Sequence, residues 1–137
     1  RARPLRPRLI ISGAVGADPV DAKRGKFQSY IEWLNKGYVD AVFLMGYTDK
    51  LEKFEKQAKG AIVQKPRRGF MSAGIGTKYD PPIVLDEVTL TRKLGLNGFA
   101  AFSYMGLFDV RNAHQPRPVA QQLKAGPLAA KATPPWR

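Results

Sequence analysis

The 137-residue sequence contains no cysteine and a single histidine. The missing cysteines remove disulfides, thiolate nucleophiles and cysteine-type zinc sites together. His114 stands without companions at ligand spacing, so no metal is expected. No apolar run approaches the ~20 residues of a membrane span, and the Arg/Pro-rich start lacks the apolar stretch of a secretory signal. Ser12-Gly13-Ala14-Val15-Gly16 has neither the Gly-Lys-Ser/Thr of a phosphate loop nor the three spaced glycines of a dinucleotide fingerprint, and no cofactor is expected. Ser103 has no histidine base near it in pattern, which leaves a nucleophilic serine without support.

Acids are scarce as well: 23 Lys and Arg stand against 11 Asp and Glu, a formal charge of +12. That excess invites a nucleic-acid reading until its location is considered. Arg1, Arg3, Arg6 and Arg8 have no acid among them, and Arg111, Arg117, Lys124, Lys131 and Arg137 again have none. Residues 9–109 carry 14 basic and 11 acidic residues, an ordinary balance for a soluble domain. The reading is a basic Arg/Pro linker at 1–8, a domain at 9–109 and a basic Pro/Ala-rich tail at 110–137. The start at Arg1 rather than Met leads to the expectation of an excerpt or a processed product.

Within the domain, short apolar runs alternate with helical periodicity. Leu9-Ile10-Ile11-Ser12-Gly13-Ala14-Val15 reads as a buried strand with a loop at its tip, followed by a loop at Pro19 and Asp21. Phe27, Tyr30, Ile31 and Leu34 then give one face of a helix that Gly37 is placed to end. Residues 38–47 form a second apolar strand, and Leu51, Phe54, Ala58, Ala61 and Ile62 repeat at helical spacing after Thr48 and Asp49. Residues 69–76 read as a third strand with a glycine-lined end. Val84, Leu85, Val88 and Thr91 give a third helix that Gly95 terminates, and residues 97–104 a fourth strand. Beyond Asp109 the sequence supports at most one short helix near Val119 to Lys124. Continuous apolar strands separated by helices require parallel crossovers, a requirement met by an open doubly wound sheet or by a barrel.

The stretch Trp33-Leu34-Asn35-Lys36-Gly37-Tyr38-Val39-Asp40-Ala41-Val42-Phe43-Leu44-Met45-Gly46-Tyr47-Thr48 resembles a signature of the bacterial glycosyl-hydrolase-like family 10 proteins. There a Trp-Leu, a Gly and a Val-Asp pair precede a strand ending in Met-x-Tyr. Ala73-Gly74-Ile75-Gly76 resembles that family's glycine-rich strand end, and Gly95-Leu96-Asn97-Gly98 with Phe102-Ser103-Tyr104 resembles its closing strand. Leu44 stands where the family usually has Pro, and Tyr79 lies one residue further from Ile75-Gly76 than in the pattern. The resemblance spans about Arg8 to Asp109. It implies the C-terminal half of a (β/α)₈ TIM barrel, about four parallel strands with intervening helices, acting on or binding a cell-envelope glycan such as peptidoglycan. It also implies a bacterial envelope or secreted setting.

A barrel builds its site at the carboxyl ends of its strands. On that basis the candidate substrate-binding residues are Ser12, Met45, Tyr47, Gly74, Gly76, Tyr79, Ser103 and Tyr104, with Tyr47 and Tyr104 offering rings that stack on a sugar and hydroxyls that bond to it. Glycoside hydrolysis ordinarily requires two carboxyl groups ~5–9.5 Å apart. Glu32, Glu52, Glu55 and Glu87 fall on helices and are expected to be solvated, Asp40 opens a strand at the opposite end, and only Asp18, Asp49 and Asp80 follow strands. The resemblance implies that the catalytic acids follow the fourth strand of the barrel, in a missing N-terminal half, and this chain alone is expected to be inactive. The expected partners are the glycan and the other half of a barrel or a second copy of the chain. One alternative is a non-catalytic half barrel that self-associates or docks on a partner. The other is a basic-tailed binder of nucleic acid or anionic surfaces.

Overall fold

The computed structural model describes residues 8–130, so most of the 1–8 linker and the end of the tail lie outside the described residues. The chain is an α/β protein built on a four-stranded parallel sheet. Strands β1 (Ser12–Gly16), β2 (Ala41–Met45), β3 (Phe70–Gly76) and β4 (Phe99–Phe102) lie in the order β1-β2-β3-β4. Between them run α1 (Pro19–Lys26), α2 (Tyr30–Asn35), α3 (Leu51–Val63) and α4 (Pro81–Lys93). After β4 come the single turn α5 (Tyr104–Leu107), the antiparallel pair β5 (Phe108–Asp109) and β6 (Gln115–Pro116), and α6 (Pro118–Ala125).

Strand order that follows chain order, joined by right-handed crossovers, puts every connecting helix on the same face of the sheet. Side chains along each strand sort accordingly. Val15, Val42, Leu44, Met71, Ala73 and Ile75 share the buried core with Leu34, Phe54, Ala61, Val84 and Val88 from the helices. The opposite face carries Ala14, Phe43, Met45, Phe70, Ala100 and Phe102, each half-exposed or exposed.

Two residues fasten the amino edge in the same way. Just before β2, Asp40 donates its N–H to Ile11 O at 2.7 Å while its Oδ2 accepts from Ile11 N at 2.8 Å. Just before β4, Asn97 donates its N–H to Met71 O and its Oδ1 accepts from Met71 N, both at 2.9 Å. Each clamp follows a glycine with left-handed φ, Gly37 at 70° and Gly95 at 74°, that releases the chain from the preceding helix. The Gly-x-x-Asp and Gly-x-Asn spacings thus serve one purpose, turning a helix end into a strand start.

Several expected boundaries shift. β1 starts at Ser12 rather than Leu9, so Ser12 pairs with Ala41 at the amino end instead of standing at the carboxyl tip. The segment read as a loop at Pro19 and Asp21 is α1. Asp18 Oδ1 caps it by accepting from Val20 N at 2.8 Å and Asp21 N at 3.0 Å, and Pro19 occupies the first turn. Only Pro19 and Ala22 of this helix are buried, which left no apolar period to detect. The short helix near Val119 is α6, whose Val119 and Leu123 enter the core.

Glu87 is the largest departure. It is 0% exposed on the buried face of α4, and among the described residues neither carboxyl oxygen has a hydrogen-bond partner. Thr91, one turn on and also buried, satisfies its hydroxyl with Glu87 O at 2.7 Å, whereas the carboxyl has no such recourse. Burial pushes the Glu87 carboxyl from its ordinary 4.5 up to about 8.

Two outcomes follow for stability. Gly69 has φ 82°, and a Cβ there would lie 2.5 Å from Leu34 Cδ2 and 2.9 Å from Asp40 O, whereas at Gly95 it would meet nothing within 4 Å. Gly95→Ala is expected to cost about 1–2 kcal/mol from the left-handed backbone alone, and Gly69→Ala clearly more, in urea unfolding. Equal losses would refute the packing argument. At Glu87 the folded-state pKa is the higher one, so its contribution is complete below pH 4.5 and is lost as pH rises towards about 8. The slope approaches about 1.4 kcal/mol per pH unit across that window. Glu87→Gln is expected to flatten that part of the pH–stability curve, and wild-type and variant curves that stay parallel would show the carboxyl to be solvated.

Candidate functional site

The loops at the carboxyl ends of β2, β3 and β4 gather most of the expected site residues. Met45 ends β2, and Gly46 lies close under Phe54, where an added Cβ would stand 3.1 Å from its ring. The chain then delivers Tyr47 across the end of the sheet, where its ring stacks on Phe102 at 5.1 Å between centroids and 20° between planes. Tyr47 is 38% exposed and Phe102 59%.

Gly74 and Gly76 make this arrangement possible. A Cβ on Gly74 would stand 3.2 Å from the Tyr47 ring and 2.9 Å from Leu44 O. A Cβ on Gly76 would stand 2.6 Å from the Tyr79 ring. These glycines do more than finish a strand, because each provides the space in which a tyrosine ring lies against β3. Tyr79 is half-buried and packs on the hydrophobic core, with Lys78 Nζ 5.3 Å from its ring centroid.

Thr77 ties β3 to the segment after β4. Buried at 1% exposure, it donates its N–H to Phe102 O at 2.8 Å and its hydroxyl to Ser103 O at 2.7 Å. Gly106 of α5 packs directly on Thr77, leaving no room for a Cβ. Ser103 therefore enters the edge through its backbone carbonyl, which Thr77 holds. Tyr104, 52% exposed, stacks on Phe108 at 4.7 Å and places its hydroxyl 3.2 Å from His114 Nδ1.

Met45, Tyr47, Gly74, Gly76, Tyr79, Ser103 and Tyr104 thus all lie at the carboxyl end of the sheet, while Ser12 lies at the other end. Phe102, Phe108 and His114 were not anticipated. Phe102 falls within the strand expected at 97–104 and proves to be its last residue, on the open face, but the approach of His114 depends on the β5–β6 turn and has no sequence signal.

Several carboxylates are engaged elsewhere. Asp18 caps α1, Asp109 Oδ1 accepts from Arg111 N at 3.1 Å, and Glu32 and Glu55 pair with Lys36 and Lys59 at 2.7 Å one helical turn away. Asp80 occupies the N-cap position of α4 without a side-chain bond, and Asp49 is exposed. Among the described residues, no group of three or more His, Asp or Glu is placed to hold a metal ion, and no helix is long and apolar enough to cross a membrane. In comparison with known proteins, the chain matches no family model, no curated protein and no solved structure.

Thr77→Val keeps the volume of the side chain but removes the hydroxyl that holds Ser103 O. It is expected to destabilise the chain by about 1–2 kcal/mol in denaturant titration, with Thr77→Ser recovering most of the loss. A valine variant as stable as wild type would show the carbonyl to be equally satisfied without Thr77.

Proposed function

We propose that this chain is the second half of a (β/α)₈ barrel of the glycosyl-hydrolase-like kind, and that its carboxyl edge is the sugar-binding side of a glycan cleft. The observation that carries the reading is the exposed Tyr47–Phe102 stack, seated against β3 by Gly74. Flat aromatic surface with polar groups at its rim is what a pyranose ring, apolar on its C–H faces and polar around its circumference, recognises. The sequential strand order and the uncovered opposite face support the barrel, since eight strands laid in this order close with that face inward.

Catalytic acids belong to the other half in this reading. Hydrolysis requires a carboxyl pair ~5–9.5 Å apart across the scissile bond, and Asp18, Asp40, Glu32 and Glu55 are already occupied in a cap, a clamp and ion pairs. Peptidoglycan is the substrate class that the family resemblance implies.

A tetrasaccharide of alternating N-acetylglucosamine and N-acetylmuramic acid, titrated calorimetrically, tests the proposal. The full chain is expected to bind it, and Tyr47→Ala and Phe102→Ala are each expected to weaken binding about tenfold, close to the energy of one aromatic contact. Wild-type protein that is folded and binds no fragment would sink the reading. A second reading, self-association or docking on a partner, is favoured by the position of β1 and β4 as terminal strands of the sheet. Light scattering that returns a discrete dimer in which Tyr47→Ala has no effect on glycan binding would favour it.

A further inference from the structure

His114 is the only histidine of the chain, and the β5–β6 turn presents it to Tyr104 through an uncommon backbone. Asp109 Oδ1 and O accept from Arg111 N and Asn112 N, and Asn112 O accepts from Gln115 N, which closes the turn. Within it Ala113 and His114 both take left-handed φ values, 46° and 54°. Non-glycine residues rarely adopt that region, although histidine is enriched there relative to most, and such conformations persist only where surrounding structure enforces them.

The result is that the Tyr104 ring is fixed at two points while remaining half open to solvent. Phe108 stacks on it at 4.7 Å and 27°, and His114 Nδ1 lies 3.2 Å from its hydroxyl with the imidazole tilted 58° to the ring. An exposed tyrosine ordinarily keeps its ring rotamers and its hydroxyl direction free. Immobilising both before a ligand arrives removes part of the ordering cost of binding.

We propose that His114 is a positioning and specificity residue of the glycan edge. Its Nδ1 accepts from the Tyr104 hydroxyl, so Tyr104 Oη turns its lone pairs outward and His114 Nε2 carries the proton as a donor. The edge then offers an acceptor and a donor close together, the complement of two neighbouring hydroxyls of a sugar, one donating and one accepting. This assignment rests on the glycan reading above and adds to it the ligand polarity at Tyr104.

The solitary histidine permits a test that needs no ligand. In a long-range ¹H–¹⁵N spectrum of the full chain, one imidazole is observed, and it is expected to show a bare Nδ1 and a protonated Nε2. Tyr104→Phe is expected to shift the Nδ1 resonance. The opposite tautomer, or an Nδ1 unaffected by Tyr104→Phe, overturns the proposal. The same tetrasaccharide then tests the role. His114→Leu is expected to weaken binding about fivefold to tenfold, the worth of one hydrogen bond, and His114→Asn, whose amide oxygen stands near the position of Nδ1 but which has no donor at the place of Nε2, is expected to restore part of it. A leucine variant that binds like wild type overturns the role of His114 and leaves the glycan reading intact. Wild-type protein that binds no tetrasaccharide overturns both.

Discussion

Each strand of the main sheet runs in the same direction as its neighbour, and each must be reached by a crossover that carries the chain back along the sheet. With right-handed crossovers and strands laid down in order, α1 to α4 have one face available to them, and they bury it with Val42, Leu44, Ile75, Val84 and Val88. The uncovered face is the counterpart of that constraint. So is the separation of the two edges, because loops entering the strands collect at one end and loops leaving them at the other. Clamps, glycines, stacked rings and the Tyr104–His114 pair are all arranged about this polarity.

At the carboxyl edge the chain gives up side-chain volume in one place to hold it in another. Gly74 and Gly76 contribute no side chain, and the rings of Tyr47 and Tyr79 take the vacated space. Thr77, just past the end of β3, turns from packing to hydrogen bonding and holds the carbonyls of Phe102 and Ser103. Two glycines of β3 and the threonine that follows it thus set the positions of Tyr47, Tyr79 and the Phe102–Ser103 segment. The edge is accordingly a property of β3 more than of the loops that display it.

The alternation of strands and helices was legible because parallel strands buried on a helix-covered face produce apolar runs, and α3 and α4 repeat their buried residues at helical spacing. Strand limits were less so, since Leu9, Ile10 and Tyr38 extend the apolar runs past the paired residues. Helix α1 escaped detection because it buries little and depends on the Asp18 cap. Glu87 was misjudged for another reason. It sits three residues after Val84 and four before Thr91, squarely on the buried face, a position that predicts burial where its charge predicts solvent. His114 had no local signature at all, since its approach to Tyr104 is a product of two left-handed residues in a turn.

The amino-edge clamps bear on how such a protein changes over time. Asp40 and Asn97 supply side-chain oxygens where a neighbouring strand would otherwise lack a carbonyl, so that edge has its hydrogen bonds completed from within. Folding information is concentrated there, far from the rings at the other end. Provided that β3 keeps its glycines, residues of the outgoing loops are free to drift without disturbing strand register. A lineage descended from this chain would be able to vary the surface of that edge while inheriting its scaffold unchanged.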